Sequence, residues 1–110
     1  MARLATGIWV SAYLQRLMQA GIYAHVVHRG DDMAGAVAVK LATMNRRATL
    51  FTRNYRADGS LGWDPQLENA DETEVDAAVQ RRRERDRDLW VIEIEDPHGR
   101  HMLDEPGFEE

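Results

Sequence analysis

"LWVIEIED", residues 89–96, alternates Trp90, Ile92 and Ile94 with Val91, Glu93 and Glu95. A two-residue period is that of a strand, here with one buried face and one partly wet face. The stretch before it, "DETEVDAAVQRRRERDRD" (71–88), has another rhythm. Val75, Ala78 and Val79 recur at helical spacing, and Arg82 continues their stripe. Asp71, Glu72, Glu74 and Asp76 crowd the first turns and the arginines the last, the order a helix dipole favours. Asp71 with Glu74, or Thr73 with Asp76, resembles a capping box. Seven acids against five arginines leave this segment at −2. Arg81–Glu84, Arg83–Asp86 and Arg85–Asp88 stand three apart, where opposite charges pair. Binding a polyanion draws on unpaired cations, so the arginine run reads as the wet side of a helix.

Working toward the N-terminus, "IYAHVVHR" (22–29), "AGAVAVKLATM" (34–44) and "ATLFTRNY" (48–55) read as three strands. Their short turns predict an antiparallel meander, because parallel neighbours need long crossovers. Asp58-Gly59 marks a turn, followed by "SLGWDPQLENAD" as a loop or short edge strand ending around Pro65. "ATGIWV" (5–10) reads as a short strand, Ser11 as a helix N-cap, and Gly21 as the stop of the helix between them. The resulting expectation is an α+β fold of order β-α-β-β-β-α-β, with a mostly antiparallel sheet and two helices packed on one face. The domain spans 1–96, and 97–110 forms a polar, acidic C-terminal tail with little packing power.

A chain of 110 residues, 44% hydrophobic and 30% charged, fits one ordinary globular domain. It has no cysteine, which removes disulfides, thiolate nucleophiles and Cys-ligated metals, and fits a reducing cytoplasm. Arg16 arrives too early for a secretion signal, and no apolar stretch approaches a membrane span. The expected location is the cytoplasm, with no membrane anchor. The net charge of −5 hides an asymmetry. Residues 1–56 carry eight Lys/Arg and two acids, giving +6, whereas 57–110 carry six Arg and seventeen acids, giving −11. Either the halves compensate each other, or one presents a basic surface to a partner.

Two residue groups are candidate sites. Arg46, Arg47, Arg53 and Arg56 cluster around one hairpin with Phe51 and Tyr55 interleaved, a pattern able to track a phosphate backbone and stack bases. His28, Asp31, Asp32 and Lys40 lie near another hairpin, and a small hydrolase or nuclease could draw an acid and a base from such a set. His25 and His28, three apart on a strand, point to opposite faces. His98 and His101 stand beside Asp96 and Asp104, but their spacing is loose and no third histidine is near, so no metal and no cofactor is expected. Arg29-Gly30-Asp31 is read as a turn. No Walker loop, dinucleotide fingerprint or nucleophile elbow is present.

"GIWVSAYLQRL", "HRGDDMAGAVAVKL" and "DLWVIEIEDPHGRH" together resemble an alphaproteobacterial family of unknown function, about this long, over nearly the whole chain. The "LWVIEIED" block followed by "GRH" carries most of that likeness. Where the pattern has Asp-Pro before Leu-Trp, this chain has Arg87-Asp88. The resemblance implies a bacterial, cytoplasmic, single-domain protein and brings no activity to carry over. The functional expectation is a non-catalytic interaction or regulatory module, pairing with a second copy or another protein. Nucleic-acid binding through 46–56 is the first alternative, and hydrolase or nuclease chemistry around His28 and Asp31 the second.

Overall fold

The computed structural model describes residues 4–109. Its elements are α1 (Thr6–Gln19), β1 (Tyr23–His28), β2 (Val37–Ala42), β3 (Arg47–Tyr55), β4 (Leu61–Asp71), α2 (Glu72–Arg85) and β5 (Trp90–Glu95). The fold is α+β, with two helices and a five-stranded sheet of order β1-β5-β2-β3-β4. β2 and β5 run parallel, and every other neighbouring pair is antiparallel.

Four particulars differ from expectation. Residues 5–10 form most of the first two turns of α1, not a strand. Trp9, Val10, Tyr13 and Leu17 make one buried helical stripe, and the N-terminal amides of Thr6 and Gly7 donate to the carbonyls of Met33 and Asp32. The cap comes from a loop distant in sequence, so no Ser11 cap is needed. At the other end Ile22 N donates to Leu17 O and Gly21 N to Met18 O, with Gly21 at φ +75°. That is a Schellman stop at the expected glycine.

Second, 61–71 is a full strand. Pro65 fits because β4 lies at the sheet edge, where no outer partner requires its missing N–H. Third, the meander is β2-β3-β4. β5 inserts between β1 and β2, because β2 is buried along its whole length and β5 along most of its own. Strands covered on both faces take the sheet centre. β1, exposed at alternate residues, is left at the edge.

Fourth, the helices cover opposite faces. Val37, Val39, Leu41, Trp90, Ile92 and Ile94 pack with Trp9, Val10, Tyr13 and Leu17 of α1. Ala38, Ala48, Leu50 and Val91 pack with Val75 and Val79 of α2. Both faces of β2 and β5 are apolar, so a cover on one face alone would leave the other wet.

Lys40 interrupts that second face. Only 5% exposed, its Nζ donates to Glu72 Oε2 at 2.8 Å and Asp76 Oδ1 at 2.6 Å, with Glu93 Oε1 3.3 Å away. Burial alone pushes the ammonium pKa down. The hydrogen bonds to Asp76 and Glu72 and the charge of Glu93 outweigh it, holding the group above the ordinary lysine value. Along α2 the expected pairs three apart do not form among the described residues. Gln80 donates to Glu84, and Arg85 Nε to the carbonyl of Arg81. Exposed pairs of long side chains gain too little to hold one geometry. Nor does Asp71 cap α2 with its side chain; Arg46 O accepts the first amide, from Glu72, at 2.9 Å.

The last residues pack more than their polarity suggests. Leu103 is buried in the α1-side core, and Met102 and Phe108 pack against it. Asp96 takes both Nε and Nη2 of Arg100 at 3.0 Å, and Arg100 Nη1 reaches Ala20 O at the end of α1. Tyr13 donates to His101 O, Arg16 forms a two-pronged pair with Glu105, and Trp63 Nε1 donates to Phe108 O. A few apolar anchors and carbonyls, spaced to meet α1, dock a segment that is otherwise wet.

Two stability predictions follow from these contacts. Lys40→Met leaves three carboxylates facing one another without their cation. Because Glu72 and Asp76 still touch water, the expected cost is about 3 kcal/mol, the low end for breaking a buried pair. Arg47→Ala, which removes an exposed pair with Asp71, costs below about 1 kcal/mol; urea denaturation of both variants checks the ordering. The second concerns pH. Burial pushes the His101 imidazole below its ordinary 6.5, against the pull of Asp104. The unfolded chain therefore takes the proton first, and stability falls as pH drops below about 6.5. Hydrogen bonds from Arg100 hold Asp96 below its ordinary 3.8, so that contribution persists above 3.8 and is lost only below it. Melting temperature against pH should decline in two stages, His101→Gln suppressing the upper and Asp96→Asn the lower.

Candidate functional site

The two residue groups singled out in the sequence are spread among structural roles. On β3, Arg47 donates to Asp71 Oδ1 at 3.1 Å and to Asn69 O, and just beyond it Arg56 donates to Asp64 Oδ1 at 2.7 Å. Both acids stand on β4, the strand paired with β3. Arg46 adopts φ +67° in the β2–β3 turn and lines a shallow cavity of about 360 Å³ with Asp71, Glu72, Thr73 and Asp76. Phe51 packs on the α1-side core beside the His101 ring, 4.7 Å between centroids. Arg53 lies over two indoles, 5.4 Å from Trp9 and 5.7 Å from Trp63. Tyr55 is exposed at the strand end.

The second group is divided by the sheet. Lys40 faces α2, whereas Asp32 sits against α1: its carbonyl accepts from Gly7 N. His28 Nδ1 is 2.8 Å from Leu89 O. Asp31 Oδ2 accepts from the amides of Met33 and Ala34, making the turn that Arg29-Gly30-Asp31 suggested. Gly30 is required there. A Cβ on it would lie 2.2 Å from Asp88 O and 2.6 Å from the Trp90 ring. Among the described residues no three His, Asp or Glu side chains gather as a metal site. Nor, among the described residues, is any helix long and apolar enough to cross a membrane, which says nothing of a β-barrel.

What the chain does build is a groove of about 590 Å³ between α1, β1 and the loop capping α1. Ile8 and Leu14 form one wall, Val26 and Met33 the other, and the Trp90 ring lines it as well. At its rim the Arg29 guanidinium lies 5.1 Å from the Trp90 centroid and pairs with Asp32 Oδ1 at 2.9 Å. Trp90 itself is fixed by donating Nε1 to Asp31 O at 2.8 Å. Ile8 is 59% exposed and Met33 72%. Among the described residues, Ser11 is the one hydroxyl side chain lining the groove, and no His, Glu or Lys lines it. Its chemistry is apolar contact with one exchangeable ion pair at the edge. Of the groove's residues the sequence singled out Asp32 alone, and for acid–base chemistry; the α1 wall was missed because 5–10 reads as a short strand. Met33 between two turn residues was the available signal.

A structure of the same architecture is seen in relatives. The crystal structure of a DUF1491 family protein from Caulobacter crescentus superposes with a TM-score of 0.87 at 41% identity, covering 94% of this chain and 98% of that one. An NMR structure of a DUF1491 family protein from the same organism gives 0.83 at 42% identity, covering 96% and 97%. The solution structure of a protein from A. tumefaciens gives 0.73 at 29% identity, covering 86% of each. None of the curated proteins matches the chain. The expected alphaproteobacterial likeness is thereby shown. Residues 4–104 match the family described as "Protein of unknown function (DUF1491)", and the chain belongs to that family.

Proposed function

We propose that this chain is a non-catalytic interaction module of the bacterial cytoplasm, holding an apolar segment of a partner protein in the groove beside α1. One observation carries the reading: Ile8 and Met33 stand exposed on either side of a concavity that the Trp90 ring also lines. Leu4, also exposed, adjoins Met33 in a neighbouring hollow of about 420 Å³. Large apolar side chains grouped around a concavity mark interaction surfaces more often than chance exposure does. The Arg29–Asp32 pair supplies the polar discrimination. It is solvent-exposed and therefore weak, so an acidic residue flanking the partner's apolar segment can replace Asp32 beside Arg29. The absence of cysteine fits the reducing compartment.

Site-specific photo-crosslinking from Met33 in cells, followed by mass spectrometry, identifies the partner. A purified partner should then bind wild type and lose at least about tenfold in affinity on Ile8→Glu or Met33→Glu. Both positions are exposed, so melting temperature should stay unchanged. Equal binding by wild type and both variants, or no crosslinked partner, overturns the proposal.

A further inference from the structure

We infer that the outer edge of β1 pairs antiparallel with β1 of a second copy, joining two five-stranded sheets across a twofold axis at His25. The sheet has two outer edges, and they are built differently. β4 carries Pro65, Asp64, Glu68 and two register irregularities against β3. Proline, charge and bulges are the devices that keep an edge from pairing. β1 reads YAHVVH and has no proline, Lys, Arg, Asp or Glu. Its one irregularity lies at Val27, which is passed over between Val26 and His28 in the pairing with β5, and Tyr23–Val26 is the regular stretch. Among the described residues it pairs only with β5, so its other side presents backbone donors and acceptors without a strand.

Charge leaves this edge, and not β4, open to a second copy. The chain carries −5, so two copies repel overall, and a contact strand without acids adds nothing to that repulsion. β1 is such a strand, whereas β4 would set Asp64 and Glu68 of one copy against those of the other. The residues are also self-complementary. Side chains opposite one another in an antiparallel pair share a face. Tyr23, His25 and Val27 alternate to the exposed side, and the rings of Tyr23 and His25 lie 5.7 Å apart. With the axis at His25, Tyr23 (61% exposed) of each copy meets Val27 (44% exposed) of the other, an aromatic to β-branched pairing that stabilises strand contacts. Ala24 meets Val26 on the α1 face, and His25 meets its own copy.

A strand edge of this length buries less than the roughly 800 Å² per partner of a standard interface, so a weak, concentration-dependent pair is expected. Sedimentation velocity of the full chain should show mass rising from 12.6 kDa toward twice that value between about 5 and 500 µM. Val27→Lys puts a charge on the exposed edge and should move that transition at least tenfold higher, with an unchanged melting temperature. Because the chain has no cysteine, a single introduced thiol reports the register. Oxidised His25→Cys should give a disulfide-linked dimer well ahead of Ser60→Cys in the β3–β4 loop. Monomer at every concentration overturns the inference, as does a dimer unaffected by Val27→Lys. Equal crosslinking at His25→Cys and Ser60→Cys, or faster linking at Val27→Cys, overturns the axis position.

Discussion

A lysine in the middle of the most buried strand is the constraint around which this fold closes. Lys40 cannot reach open water from β2, so carboxylates must come to it, and they come from α2 and β5. Without them the ammonium would carry a desolvation cost of several kcal/mol. With them, one side chain fixes three relations together: the seat of α2 on the sheet, the register of β5 beside β2, and the face that α2 covers. An apolar residue at 40 would strand those carboxylates and leave α2 seated on Ala38, Leu50 and Val91, which offer no directional contact. The parallel pairing of Lys40 with Glu93 places both on one face, within reach of the first turns of α2.

The same logic extends to the charge asymmetry of the chain. Arg16, Lys40, Arg47 and Arg56, all in the basic first half, find their carboxylates at Glu105, Glu72, Asp76, Glu93, Asp71 and Asp64 in the acidic second half. Individually the exposed pairs are worth little. Their distribution still matters, because it engages two of the four arginines of the β3 hairpin, Arg47 and Arg56, with carboxylates of β4.

Much of the architecture was legible because hydrophobic period and burial agree. β2, β3 and β5 alternate as strands, α2 opens near Asp71, and Gly21 ends α1 in the conformation glycine favours. What failed were decisions made by distant partners. "ATGIWV" carries β-rich residues, yet the loop carbonyls of Asp32 and Met33 cap it as a helix, and no local signal announces a cap lying about 25 residues away. The meander rule failed for β1 because β5, some 60 residues later, is apolar on both sides and displaces it from β2. The site was harder still. Arg53 lies over Trp9 and Trp63, and Phe51 packs beside His101 of the C-terminal segment, partners that no local pattern announces.

The block that most strongly marks the family likeness, "LWVIEIED" with "GRH", illustrates how sequence individuality and chemistry separate. Trp90 holds the Asp31 turn, Asp96 clasps Arg100, Gly99 takes φ +72° between them, and His101 offers its carbonyl to Tyr13. Trp90, Arg100 and His101 join the C-terminal segment and the 29–35 loop to the two sides of α1, whereas Glu93 of the same block serves Lys40 on the α2 side. A distinctive motif here reports how a short chain ties both ends of its sheet to one helix. The groove depends on that tie: the same loop that caps α1 supplies Met33 and Asp32, while Trp90, held by that loop, lines the groove. Loosening the cap would therefore remove one wall of the groove and the start of the helix in one event. A surface of this kind can serve as a recognition site only while the whole fold is intact.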